Sequence, residues 1–144
     1  MGKEIRIAPG DAYPWQQLLP GDTLILRDGV YPPMRPNARN GEPGKPITIK
    51  AENDGKAIID GKGQAAIQLG DTWPALGPDA AWWVLEGLVA RNGGESTIAI
   101  RGHDIVMRRI SAYDADPDGN SAIIWPYYSK NILIEDCIAA GTGR

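Results

Sequence analysis

Short runs in which apolar residues alternate with polar ones or cluster together follow one another along the chain after Asp22: "TLIL", "ITIK", "AIID", "AIQL", "WWVLEGLVA", "TIAI", "DIVMRRISA", "AIIW" and "NILIEDCIA". A period of two sends one face of each run into a core and the other toward water, which is strand behaviour. Gly, Asp, Asn and Pro close the runs, so the pattern predicts many short strands separated by turns. One segment differs. In "DAYPWQQLLPGD", Asp11 is placed to cap, Pro14 to sit in a first helical turn, and Trp15, Leu18 and Leu19 to share a face before Pro20 and Gly21 end it. This predicts a helix of about two turns over residues 11–19.

The strands repeat. "WVLEGLVARN" (83–92), "IVMRRISAYD" (105–114) and "ILIEDCIAAG" (132–141) superpose without gaps, apolar on apolar at the first, third and sixth places. The third place holds Leu85, Met107 and Ile134, and extending the register upstream adds Ile49 and Leu26 to the same column. A second set, "AIQL" (66–69), "TIAI" (97–100) and "AIIW" (122–125), falls just ahead of the template strands. Each repeat of about 20 to 30 residues therefore holds several strands and no helix, the mark of a β-solenoid in which each coil pairs with the coils above and below. Hairpins are the rival arrangement. The connections "RDGVYPPMRPNARNGEPGKP" and "GDTWPALGPDAA" are long for hairpin loops, which usually run about two to five residues.

Composition adds bounds. A chain of 144 residues is one domain's worth. A net charge of −3 gives no electrostatic case for nucleic acid or an anionic membrane. No apolar run reaches the roughly 18 residues that span a bilayer, and "MGKEIRIAPG" has no apolar run of signal-peptide length. The 18 Gly and 12 Pro agree with frequent turns, and the aromatics are five Trp and five Tyr with no Phe, rings that carry a polar edge suited to sugar platforms. The single Cys137 excludes an internal disulfide and fills the sixth template place beside Leu88 and Ile110, which makes it a core thiol. His103, the only histidine, lies in the turn-like "GHD", where a turn or capping role is expected.

The segments "PGDTLILRDGVY", "GEPGKPITIKAENDGKAIIDG" and "WWVLEGLVARNGG" resemble the opening of right-handed parallel β-helix proteins, closest to the chondroitinase B and alginate lyase type of polysaccharide lyase. The resemblance runs over roughly residues 11–141. It implies an all-β, right-handed parallel β-helix with a short N-terminal capping helix, residues 1–21 as the cap and 22–144 as coils. It also implies calcium-assisted β-elimination on uronic-acid polysaccharide, in which metal neutralises the uronate carboxylate while Lys and Arg handle the proton and the charge. The family's catalytic residues belong to middle coils, and none is matched to a position here. The chain is thus expected to be the N-terminal portion of a longer, extracellular or cell-surface protein, and inactive by itself. The competing reading is a noncatalytic solenoid, an adhesin or tail-spike-like module that binds glycans or spaces other domains. An end-to-end homodimer through the last coil is a further expectation.

Two motifs offer chemistry. "DADPDGN" sets Asp114, Asp116 and Asp118 at alternate places before Gly119, the first half of a calcium loop. Trp125 at the twelfth place excludes an EF-hand, and a solvated turn held by Asp side chains is the structural alternative. "WPYYSKN" presents Trp125, Tyr127 and Tyr128 with Lys130, a carbohydrate-binding platform if the rings face outward and core if they alternate inward. The long excursion "WPALGPDAAWW" inflates one coil into a candidate wall, with Trp83 on an inward template place.

Overall fold

The computed structural model describes residues 2–36, 39–71, 78–116 and 121–141. Fourteen strands are found among them: β1 (Glu4–Ile7), β2 (Thr23–Leu26), β3 (Gly29–Tyr31), β4 (Ile47–Ala51), β5 (Ala57–Asp60), β6 (Ile67–Leu69), β7 (Ala80–Glu86), β8 (Leu88–Arg91), β9 (Ser96–Ile100), β10 (Gly102–Arg108), β11 (Ser111–Tyr113), β12 (Ala122–Pro126), β13 (Lys130–Glu135) and β14 (Ile138–Ala140). They form three sheets, ordered β1-β2-β4-β7-β10-β13, β14-β11-β8-β5-β3 and β12-β9-β6. Every ladder between them is parallel. The chain visits the first, second and third sheets in turn and returns to the first one coil on, giving a right-handed parallel β-helix, the hand that twisted parallel strands impose on crossovers. "ITIK" and "AIID" do not pair with each other; each pairs with the coil before and the coil after.

The alternation read from the sequence is observed in β4, β5, β6 and β8, whereas β9 is buried along its whole length. In β4, Ile47, Ile49 and Ala51 are buried while Thr48 and Lys50 are not. Leu85 pairs in register with Ile49 and Met107, and Met107 with Ile134, as the gap-free template requires. The upstream extension needs correction: Leu24, not Leu26, stands opposite Ile49, and Leu26 faces Ala51. A slip of two keeps the same face, so both leucines are fully buried. In the third sheet Ile98 faces Ile67 on one side and Ile124 on the other, one residue off the match suggested by "TIAI" over "AIIW".

Corners between sheets are made by single left-handed residues that recur in columns. Gly87, Arg109 and Asp136, at φ 70°, 51° and 53°, turn the first sheet into the second, and Asn92, Asp114 and Gly141, at 54°, 61° and 91°, leave the second. At Gly87 a Cβ would come within 2.2 Å of Asp54 Oδ1, the end of an exposed side chain that can move aside. A third column, Trp82, Asp104 and Asn131 at 59°, 55° and 53°, forms a bulge near the start of β7, β10 and β13. For a residue with a Cβ this conformation costs about 1–2 kcal/mol, less for Asn and Asp, and it is an outlier for tryptophan.

The expected two-turn helix is not formed; only Trp15–Gln17 closes a single 3-10 turn. Pro14 and Pro20 leave too few residues between them to repay helix nucleation, and Pro20 disfavours helical backbone at Leu19. Leu18 is already extended, at φ −83° and ψ 125°. Asp11 serves a turn instead, accepting from the Ala8 amide at 2.9 Å. The sequence reading also missed β1, which precedes this segment and extends the first sheet by pairing with β2. The segment still covers apolar surface: Leu18 enters the core, and the Tyr13 ring stacks on Trp15 at 4.7 Å and lies 6.4 Å from Tyr31. The Tyr13 hydroxyl donates to the Pro32 carbonyl at 2.6 Å, and Tyr31 donates to Arg27 at 2.7 Å. The buried Asp22 carboxylate ties the chain start to this cap, accepting from the Lys3 and Leu19 amides at 3.0 and 2.9 Å and from the Lys3 ammonium.

Two outcomes follow. Met107→Asp puts an unpaired carboxylate in the inward column and is expected to cost roughly 3 kcal/mol or more, whereas the outward neighbour Val106→Asp should cost less than about 1 kcal/mol. Urea unfolding of both variants checks this, and equal losses would remove Met107 from the core. Burial alone would raise the Asp22 carboxyl, but the hydrogen bonds from Lys3 and Leu19 outweigh it and hold the folded value below the ordinary one. Its contribution is therefore full above the unfolded value of about 4 and is lost as pH falls through the folded value. The stability advantage over Asp22→Asn should shrink in melts taken below about pH 4, and a constant difference down to acid pH would refute the linkage.

Candidate functional site

Two outer faces of the coil differ in character. On the first sheet Lys50, Glu86, Arg108 and Glu135 stand in one register column. Arg108 pairs with Glu86 at 3.6 Å and with Glu135, while Arg109 reaches Asp54 at 2.7 Å and Glu86 at 3.4 Å. Charge on that face is largely neutralised from within. The third sheet carries aromatic, amide and small side chains instead, and it is bordered by two adjoining hollows.

The larger hollow, about 400 Å³, lies among Arg35, Asn40, Gln68, Asp71, Asp79 and Trp83. Trp83 is buried as its template place requires, and its Nε1 donates to Asn40 Oδ1 at 3.1 Å. Asn40 in turn donates to the Asp79 carbonyl at 3.0 Å, and Arg101 pairs with the Asp79 carboxylate at 3.3 Å. The smaller hollow, about 200 Å³, shares Arg35 and Gln68 and adds Gln64, Glu95, Ala99 and Trp125. Gln68, Ala99 and Trp125 form one register column. The small Ala99 leaves the space that the Trp125 indole overlooks. Arg35 Nη2 donates to Gln64 Oε1 at 3.0 Å, which steadies the guanidinium where the hollows meet.

From Trp125 the chain turns toward the first sheet, and three rings gather at this corner. Trp125 and Tyr127 have centroids 5.0 Å apart, and Tyr127 and Tyr128 lie 4.4 Å apart edge to face. Tyr128 is 77% exposed. Desolvation in the cluster, and then the neighbouring Tyr128, push the Tyr127 phenol above its ordinary value. The one-residue register of the third sheet aligns Trp125 with Ala99 rather than with the inward Ile100, so its ring lines the outer hollow. The structure thus brings together the three aromatic residues singled out in the sequence.

The aspartate turn is only partly described. Asp114 and Asp116 are exposed on either side of the buried Ala115, with their amides donating to Ala140 and Gly94. Asp118 and Gly119 lie outside the described residues, as does the 72–77 part of the long excursion. Among the described residues no three His, Cys, Asp or Glu side chains converge as a metal site. Cys137 packs half-buried against the core, with its Sγ donating to the Glu135 carbonyl at 3.2 Å. Arg35, Asn40 and Gln64 were not singled out from the sequence. The signal was Met34 in "PPMRPN", whose parallel bridge to Ile67 adds a first rung to the third sheet and sets Arg35 beside it.

A family model described as Chondroitinase B matches residues 14–114, more than half of the chain. No curated protein matches it. Among solved structures, a mannuronic acid specific polysaccharide family 6 lyase from human gut microbiota aligns with a TM-score of 0.63 and 22% identity, over 96% of this chain and 34% of that one. A PL6 family polysaccharide lyase from Pseudopedobacter saltans gives a TM-score of 0.46 and 18% identity, over 84% of this chain and 44% of the other. The first of these likenesses bears on the fold, and this chain spans about a third of that lyase's length.

Proposed function

The chain belongs to the chondroitinase B family, and on that premise we propose that it forms part of the polysaccharide-holding surface of a lyase acting on uronic-acid-containing polymer. The observation that carries this reading is the gathering of Trp125, Tyr127 and Tyr128 beside the third-sheet hollows. Pyranose rings present C–H faces that pack on aromatic rings, while amide and guanidinium groups such as those of Gln64, Gln68 and Arg35 fix hydroxyl and carboxylate positions. The polymer would run across successive coils, meeting a new set of side chains about every 4.8 Å.

Elimination from a uronate needs a base for the C5 proton and a positive charge that stabilises the carboxylate as the carbanion develops. No residue of this chain is assigned either role, so the chain alone is expected to bind without cleaving. Calcium belongs to the same proposal: Asp114 and Asp116, with Asp118, would hold it at their turn, and a bound ion would supply neutralisation of a sugar carboxylate.

Isothermal titration with mannuronate and other uronate oligosaccharides tests the reading. Tyr128→Ala removes an exposed ring, so it should weaken binding by about tenfold, the equivalent of roughly 1.4 kcal/mol, without lowering the melting temperature. Absence of binding by the unaltered chain to every uronate oligosaccharide would overturn the proposal. For calcium, the melting temperature should rise with added Ca²⁺ in the unaltered chain but not in Asp116→Asn; no rise at millimolar concentrations would dismiss the metal.

A further inference from the structure

The bulge column near the start of β7, β10 and β13 contains an anomaly. Asp104 and Asn131 are residues that tolerate left-handed backbone, whereas Trp82, at φ 59°, is not. Packing does not account for it, since the neighbouring Trp83 already fills the core and Trp82 remains half-buried. A strained outlier held by its surroundings directs attention to what its side chain does. The Trp82 indole stands edge to face against the His103 imidazole, centroids 6.4 Å apart and planes at 87°.

His103 is held as well. Its Nδ1 lies 2.7 Å from Asp104 Oδ2, and the other oxygen of that carboxylate accepts from Asn131 Nδ2 at 3.4 Å. The ring orientation is therefore set from behind, and Nε2 has no hydrogen-bond partner among the described residues. The imidazole remains accessible, with 44% of its side chain exposed. Lys130 stands opposite His103 in register and is exposed, which places an ammonium in the same row.

An apolar ring, an oriented nitrogen free to donate or accept, and a cation are the elements of an acidic-sugar subsite. We infer that Trp82, His103 and Lys130 form a second subsite for a uronate residue, with the pyranose against the indole, a hydroxyl on Nε2 and the carboxylate near Lys130. It runs along the same corner as Tyr128, from Lys130 in the Tyr128 coil through His103 to Trp82 two coils away, roughly 10 Å along the helix axis. One oligosaccharide would span both places. The inference rests on the polysaccharide-binding reading of that corner and adds a second place, beside that of Arg35, at which charge is recognised.

The test uses the full chain with Trp82→Asn, His103→Gln, Lys130→Gln and, as comparator, Tyr128→Ala. Each is titrated with a uronate oligosaccharide and with the same oligosaccharide after carboxyl reduction. Asn takes the left-handed conformation that Asn131 already adopts, so relief of strain is expected to offset lost packing and leave the melting temperature within about 3 °C of the original. Affinity for the uronate should fall about tenfold in Trp82→Asn and in His103→Gln. Lys130→Gln should weaken only the charged ligand. If Trp82→Asn folds poorly, His103→Gln decides, because its site is exposed. Unchanged uronate affinity in His103→Gln and Lys130→Gln, with Tyr128→Ala still impaired, would overturn the second subsite and leave the platform standing. Failure of the unaltered chain to bind either oligosaccharide would overturn both.

Discussion

Parallel pairing between successive coils constrains everything else in this protein. Each strand inside a sheet hydrogen-bonds to the one a coil before and the one a coil after, so a residue's side-chain direction is inherited along its column. Ile49, Leu85 and Met107 can share one interior because their strands keep register. The same inheritance applies outside, where the columns Lys50–Glu86–Arg108–Glu135 and Gln68–Ala99–Trp125 create two unlike faces.

The candidate site is built where this constraint relaxes. The corner from the third sheet to the first is not a single left-handed residue like the other two; it carries Tyr127 and Tyr128 in one coil and the bulge residues Trp82, Asp104 and Asn131 across three. Side chains there are freed from in-or-out alternation, yet their backbones stay tied to a rigid stack. Tyr127 donates its amide to Ile100, and the Ser129 hydroxyl accepts from the Gly102 amide at 3.2 Å, so successive turns of this corner are bonded to one another. A rigid backbone presenting exposed rings loses little entropy when a polymer binds.

Most of the scaffold was legible in the sequence, and the exceptions share a cause. Period-two alternation is a local property, so the strands, the inward faces and the gap-free match of residues 83–92, 105–114 and 132–141 could be read directly. Upstream, the turns differ in length, and parity alone could not separate Leu24 from Leu26 as the partner of Ile49 because both face inward. The capping helix failed for a different reason: its apolar spacing was adequate, but Pro14 and Pro20 leave no length in which a helix could propagate. At the site, "WPYYSKN" was visible as a cluster of rings, but the direction of Trp125 was not.

What the sequence determined by itself was the choice of a coil: strand lengths, the repeat and the polarity of each strand face are written in neighbouring residues. What only the tertiary structure decided was which coils' side chains meet. The third-sheet register aligned Trp125 with Ala99, the Met34 rung brought Arg35 beside Gln64, and a left-handed backbone at Trp82 stood its indole against His103. Each joins residues about 20 or more positions apart through turn lengths and signs of φ. Those quantities leave only a faint Asn, Asp and Gly bias in the sequence, because the free energy that selects them comes from the pairing of whole coils rather than from the residues at the turn.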